Sequence, residues 1–209
     1  MIDKPFYKNR KDAASQLIKF LRIYEKSESI VLSIPNGGIP IGKKIADELH
    51  LPLFYAPIKK IKHPDSNEVN IGALSINHIV LNDSMGVTES QVSDQIKKLR
   101  NELQEEMRSN GLLQDQPKLN NKTVILTDDG ITSGSIMLAT LQLVQKENPV
   151  KKILAVPVAT YRSLLKLHDY VDEIVCLHMP ETVDNVAGYY EKFDNLSDKD
   201  IFTVIKQAR

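Results

Sequence analysis

Thr123-Val124-Ile125-Leu126-Thr127-Asp128-Asp129-Gly130-Ile131-Thr132-Ser133-Gly134-Ser135 is the stretch from which the rest of the chain is read. It opens on apolar and β-branched residues, the pattern of a buried strand. Two carboxylates stand side by side where that strand should end, and a turn of small and hydroxyl residues follows. A helical pattern begins behind the turn, with Ile136, Met137, Leu138, Leu141, Leu143 and Val144. A strand, an acidic pair, a small-residue turn and a helix make a phosphate cradle. Small residues let backbone N–H groups approach an anion, hydroxyls add donors, and the helix N-terminus adds a favourable dipole. The adjacent carboxylates suit sugar hydroxyls or a hydrated metal ion, so the stretch points to a phosphorylated sugar.

Upstream, Ala13, Ala14, Leu17, Ile18, Leu21 and Tyr24 share one face of a helix from Asp12, the expected N-cap, to about Tyr24. Ser29 to Ile34 reads as a short buried strand. Pro35-Asn36-Gly37-Gly38 is a sharp turn, and Pro40 suits the first turn of a helix burying Ile41, Ile45, Ala46 and Leu49. Leu51 to Ile58 reads as the next strand. The polar run Lys59 to Glu68 reads as an exposed, mobile loop, followed by two extended pieces, Ile71 to Ser75 and His78 to Leu81. Thr88 with Gln91 suits a capping box opening a long amphipathic helix to about Arg108. Lys151 to Val158 and Glu173 to Leu177 read as two further strands, with a helix from Thr160 to Tyr170 between them. Ser197 is read as the cap of a last helix, with Asp200 in the capping-box position.

Strands alternating with helices predict an α/β fold with a mainly parallel sheet flanked by helices. In such sheets ligands sit beyond the carboxyl ends of the strands. The turns Pro35–Gly38 and Asp128–Gly134 both fall at such ends and should face one crevice. The Val186-Ala187-Gly188-Tyr189-Tyr190 run either packs on the core or offers Tyr189 as a flat surface to a planar substrate.

Composition narrows the class. A chain of 209 residues is long enough to bury a proper core and is read as one domain, with a core at about 10–180 and a hood or tail at about 180–209. Lys plus Arg and Asp plus Glu number 27 each, so nothing in the charge balance points to nucleic acid or a membrane surface. The single cysteine, Cys176, lies in an apolar run and reads as a buried thiol, and no Cys/His spacing suggests zinc. No apolar signal region or membrane-length stretch is present, so a cytoplasmic location is expected.

On the acidic motif, the Pro35–Gly38 turn, the pair Lys59-Lys60, the element Ile71-Gly72-Ala73 and the late segment Gly188-Tyr189-Tyr190-Glu191-Lys192-Phe193, the chain resembles the type I phosphoribosyltransferases. It is closest to bacterial and archaeal members of undefined base specificity. The resemblance covers nearly the whole chain. It implies a mobile lid, a small hood that selects the base, a homodimer, and phosphoribosyl pyrophosphate with Mg²⁺ as ligands. By that resemblance Asp128 and Asp129 hold the ribose hydroxyls and organise the metal, partly through water. Thr127, Gly130, Ile131, Thr132, Ser133, Gly134 and Ser135 surround the 5′-phosphate half. Asn36, Gly37 and Gly38 face the pyrophosphate, with Lys59 and Lys60 supplying charge, Lys60 as a catalytic cation. Two positions depart from the pattern: the turn usually carries Arg where Asn36 stands, and the motif usually has a hydroxyl residue where Ile136 stands.

The implied activity is transfer of a phosphoribosyl group to a nitrogenous base or related acceptor, releasing pyrophosphate. The rival reading is a non-catalytic phosphoribosyl pyrophosphate sensor or regulator of the same fold. Neither a Gly-x-Gly-x-x-Gly run after the first strand nor a Gly-Lys-Ser/Thr P-loop is present, which ranks other phosphate-binding α/β enzymes last.

Overall fold

The computed structural model describes residues 6–35, 37–81, 86–113, 116–194, 201 and 203–205, leaving aside the side chains of Asn67 and Glu68. Five parallel strands form the main sheet. They are β1 (Ser29–Ser33), β2 (Leu53–Tyr55), β6 (Thr123–Thr127), β7 (Lys151–Val158) and β8 (Glu173–His178), in the order β2-β1-β6-β7-β8. Helices cover both faces, which is why these strands are apolar on both sides. On one face α1 (Arg10–Leu21) and α2 (Gly38–Leu49) enclose Val31, Ile125, Ile153 and Ala155. On the other, α4 (Ser135–Gln145) and α5 (Tyr161–His168) pack through Met137, Leu141, Val144, Leu164 and Leu167 on Leu32, Val124, Leu126, Leu154 and Val156. The period of two along each strand sorts neighbouring residues onto opposite faces.

The order of winding fixes where a ligand can enter. Helix α2 carries the chain from β1 outward to β2, and α4 carries it from β6 in the other direction to β7. Crossovers are right-handed, so the two helices lie on opposite faces and the sheet changes direction between β1 and β6. Ser33 pairs with Thr127 at the ends of those two strands, so the turns that follow start side by side.

Residues 59–68 depart from the expected loop, while the extended pieces expected at 71–75 and 78–81 are present as strands. Lys59–His63 is strand β3, and it pairs antiparallel with β4 (Ser66–Leu74), which pairs in turn with β5 (Ile79–Leu81). The cause is the alternating apolar residues. Ile61, Ile71 and Leu74 pack with Ile39, Tyr55 and the face of α3 (Ser93–Ser109) formed by Ile96, Leu103 and Met107. Strand β3 lies at the edge of the small sheet, where a row of lysines discourages pairing with another chain. This small sheet comes from residues upstream of the tail from which a hood is read.

Other boundaries shift for local reasons. The expected strand Leu51–Ile58 shrinks to Leu53–Tyr55 between Pro52 and Pro57, neither of which can donate to a ladder. Asp12 is not the N-cap of α1. Asn9 is, with an extended backbone and its side chain accepting from the Asp12 N–H at 3.0 Å, while Asp12 accepts from the Lys8 N–H. The capping box of Thr88 and Gln91 is present, but it opens a 3₁₀ turn, Glu89–Val92, ahead of α3. The expected cap at Ser197 lies outside the described residues. Among them, no helix is long and apolar enough to cross a membrane.

Cys176 sits in β8, its thiol donating to the His178 carbonyl at 3.3 Å and pushed up to about 11 by burial. The thiolate is the reactive form. Alkylation at about pH 8 should therefore run about a hundredfold slower in the native protein than in urea, given an ordinary thiol near 8.5. The native rate should climb only as the pH approaches that raised value. Equal native and denatured rates would show the thiol to be open and ionised.

Candidate active site

The turn after β1 and the loop after β6 close on each other with no space between them. A Cβ on Gly38 would lie 2.7 Å from the Thr127 carbonyl oxygen and 3.1 Å from the Asp128 Cα. A Cβ on Gly37 would lie 2.0 Å from Asp129 Oδ2. The two glycine-bearing turns thus share one crevice, as the topology requires. Asn36, between them in role, lies outside the described residues.

The two carboxylates differ in their surroundings. Asp129 is 8% exposed; its Oδ2 accepts from Arg10 Nε at 2.9 Å and lies 2.8 Å from Arg10 Nη2 in the same ion pair. Tyr190 Oη donates to the Asp129 main-chain oxygen at 2.6 Å. Asp128 is half-buried, and its Oδ1 accepts the Asp129 N–H at 2.8 Å. Burial first, then the neighbouring Asp129 charge, raises the Asp128 carboxyl well above the usual carboxylate range. Burial also raises Asp129, and the Arg10 guanidinium opposes it.

Beneath the pair, Ser33 Oγ and Thr127 Oγ1 are buried and have no hydrogen-bond partner among the described residues. They belong to residues paired across β1 and β6, and Gly42 gives Ser33 its room, since a Cβ there would lie 1.8 Å from that hydroxyl. Thr127 and Ile131 are buried themselves. Ile131 extends the β6 edge by donating to the Val158 carbonyl at 2.8 Å.

The cradle opens on the far side of the acidic pair. Thr132, Ser133 and Ser135 are exposed. Gly134 caps α4 with φ +76, and the first intrahelical bond runs from the Leu138 N–H to the Gly134 carbonyl. The amides of residues 135–137 therefore precede the ladder and face outward without an intrahelical partner. Ser133 Oγ lies 3.4 Å from the Ser135 N and 3.2 Å from its hydroxyl. Exposed hydroxyls around open amides at a helix N-terminus suit a phosphate. The glycine is needed for its backbone angle, because the nearest atom to an added Cβ is 3.4 Å away. Gly134→Ala should cost about 1–2 kcal/mol of stability in urea titrations, the cost of a left-handed L-residue; a neutral result would mean the turn relaxes freely.

The remaining site candidates separate. Lys59 Nζ pairs with Glu106 of α3 at 2.5 Å, whereas Lys60 is exposed on the alternate side of β3. His63 accepts the Asp65 N–H at 3.1 Å and so ties the β3–β4 turn. Gly130 packs against Val186 and Val158, which brings the 186–190 run to the acidic loop. Tyr189, however, is 3% exposed, with its ring 5.9 Å from that of Phe6 and 5.8 Å from His178. The packing alternative therefore describes Tyr189, and the ring stacked on it, Phe6, is 48% exposed.

Two residues at the acidic pair escaped the sequence reading, Arg10 and Tyr190. Arg10 left a trace, since it falls on the stripe of Ala13, Ala14, Leu17, Ile18 and Leu21 that α1 buries. A charged residue on a buried stripe needs a partner.

As for a metal, no group of three or more His, Cys, Asp or Glu among the described residues could hold one. Magnesium keeps several waters and binds through one or two carboxylates plus substrate phosphates. Asp128, half-buried and in no ion pair among the described residues, fits that limited demand, while Asp129 Oδ2 is taken by Arg10.

Comparison with known proteins agrees with this fold. The family model described as "Phosphoribosyl transferase domain" matches residues 2–194. A protein of Mycobacterium tuberculosis named "putative phosphoribosyl transferase" is 28% identical over 207 residues, covering 97% of this chain and 47% of its own. The chain thus spans about half the length of the curated relatives it matches. Among solved structures, TT1426 from Thermus thermophilus superposes with a TM-score of 0.85 at 24% identity, covering 97% of this chain and 98% of that one. A purine phosphoribosyltransferase from Pyrococcus horikoshii superposes at 0.50 with 14% identity, over 84% and 89% of the two chains. These likenesses are of fold.

Proposed function

The chain belongs to the phosphoribosyl transferase domain family, and from that premise we propose that it transfers a phosphoribosyl group from phosphoribosyl pyrophosphate to a small heterocyclic base or related nitrogen acceptor. The observation that carries the reading is the crevice itself: a half-buried carboxylate with a phosphate cradle on one side and a glycine turn on the other. In this reading the 5′-phosphate rests on the hydroxyls of Thr132, Ser133 and Ser135 and the open amides of α4. The ribose hydroxyls meet Asp128. The pyrophosphate lies along the backbone of Gly37 and Gly38.

Displacement at the anomeric carbon breaks the bond to pyrophosphate ahead of forming the bond to nitrogen, so positive charge builds on the sugar. Carboxylates beside the ribose stabilise that charge, and backbone donors stabilise the departing anion. Mg²⁺, when bound, neutralises charge on the pyrophosphate oxygens. In the same reading Lys60, exposed on the β3–β4 hairpin, supplies positive charge to the leaving group, and the hairpin shields the reactive sugar from water. A homodimer in the cytoplasm is part of the same reading, and a monomer mass by light scattering would remove the first half of it.

The test is a pyrophosphate-release screen with phosphoribosyl pyrophosphate, Mg²⁺ and a panel of purines, pyrimidines and other heterocycles. Turnover with one acceptor class supports the transferase. Tight binding of phosphoribosyl pyrophosphate with no turnover on the whole panel would favour the sensor. No binding at all would overturn both.

A further inference from the structure

Arg10 holds more of the site together than any other residue described. Its Nε donates to Asp129 Oδ2 at 2.9 Å and its Nη2 lies 2.8 Å from the same oxygen in an ion pair, with the two side chains 10% and 12% exposed. Its Nη1 donates to the Asp194 main-chain oxygen at 2.7 Å. Its guanidinium carbon lies 3.7 Å over the Phe193 ring. Only a planar, permanently charged fork can hydrogen-bond a carboxylate through one N–H, keep a second nitrogen in ion-pair range of it, bind a carbonyl through a third, and still stack on a ring. Asp129 is fixed from its other sides by the Tyr190 hydroxyl on its carbonyl and by Gly37 against its carboxylate. Asp128, by contrast, is half-buried and in no ion pair among the described residues, and its Oδ1 accepts the Asp129 N–H.

We propose that Arg10 is a positioning residue that divides the acidic pair: it locks Asp129 as the rigid wall between the two turns, and leaves Asp128 as the carboxylate that meets ribose and metal. This rests on the transferase or binder reading above. Through Asp129, Arg10 sets two things. The Asp129 N–H orients Asp128, and the Asp129 carboxylate sets the height of the Gly37 backbone that faces pyrophosphate. The cation that the turn lacks at Asn36 thus has a counterpart on α1, acting on the wall of the site.

Calorimetric titration of phosphoribosyl pyrophosphate with Mg²⁺ tests this without any acceptor. Wild type, Arg10→Met, Arg10→Lys, Asp129→Asn and Arg10→Gln/Asp129→Asn are compared well below their melting temperatures. Arg10→Met should weaken binding at least about tenfold, and Arg10→Lys should recover part of that loss. The double variant should bind within about twofold of Asp129→Asn alone, because a residue acting only through Asp129 has nothing left to act on. A purely structural Arg10 would lower the melting temperature and leave these affinities unmoved. Should Arg10→Met fail to fold, the double variant, neutral on both sides, carries the comparison with Asp129→Asn. Wild-type affinity in Arg10→Met, or losses that multiply in the double variant, would overturn the proposal. Failure of the wild type to bind the ligand would instead overturn the reading on which it rests.

Discussion

Asp128→Asn should lower kcat/KM for phosphoribosyl transfer by about 10²–10³, or roughly 3–4 kcal/mol of transition-state stabilisation, while the protein melts no lower than the wild type at neutral pH. The first half follows from the proposed role: Asp128 is half-buried, and in the proposed reading it meets the sugar that gains positive charge. The second half follows from electrostatics. Burial and the Asp129 charge raise the folded Asp128 carboxyl above its unfolded value near 3.9. A raised carboxyl contributes stability that is fully present below the unfolded value and lost as the pH rises through the folded one. The ligand-free wild type therefore carries a penalty at neutral pH that the amide variant lacks. The amide also keeps an oxygen to accept the Asp129 N–H. Melting curves from about pH 4 to 8 should show the variant equal or higher at the neutral end, with the gap closing toward acid. A variant that melts well below the wild type at neutral pH would show that this carboxylate is structural.

Gly37→Ala should reduce turnover to below about 1% and cost about 1–3 kcal/mol of stability, an overpacking effect. The backbone at Gly37, with φ −61 and ψ −35, suits alanine. The obstacle is space. The new methyl would stand 2.0 Å from Asp129 Oδ2 and 2.3 Å from its Cγ. Asp129 has nowhere to withdraw, because Arg10 holds the same oxygen. Either the turn shifts away from the pyrophosphate position, or the buried ion pair opens and leaves a guanidinium without its partner. Urea unfolding and steady-state turnover read the two costs. Wild-type turnover in this variant would remove Gly37 from the site.

Much of this was legible in the chain because local chemistry and topology point the same way. The run from Thr123 to Ser135 states strand, acid pair, turn and helix in one breath. The convergence with Pro35–Gly38 needs only the rule that parallel strands present the same ends to one edge. The β3–β4 hairpin was not legible, since an edge strand reading Lys-Lys-Ile-Lys-His has one buried residue, Ile61, and otherwise the composition of a loop. Tyr189 and Tyr190 are chemically alike and adjacent, so no sequence rule tells which ring packs on Phe6 and which hydroxyl reaches Asp129. The pairing of Arg10 with Asp129 spans 119 residues; its only trace was an arginine out of place on an apolar stripe.

That same span has a consequence for biosynthesis. Arg10 leaves the ribosome before Asp129, and the Tyr190 hydroxyl, Phe193 ring and Asp194 carbonyl follow both. A nascent chain paused before residue 190 can already pair β1, β2, β6, β7 and β8, yet its Asp129 wall lacks the groups that steady Arg10. Contacts this distant in sequence form late, after loop closure has been overcome. Translation products cut short before this segment should therefore be folded in their sheet and inert in their crevice, so that the proposed activity arrives only once residues 190–194 are made.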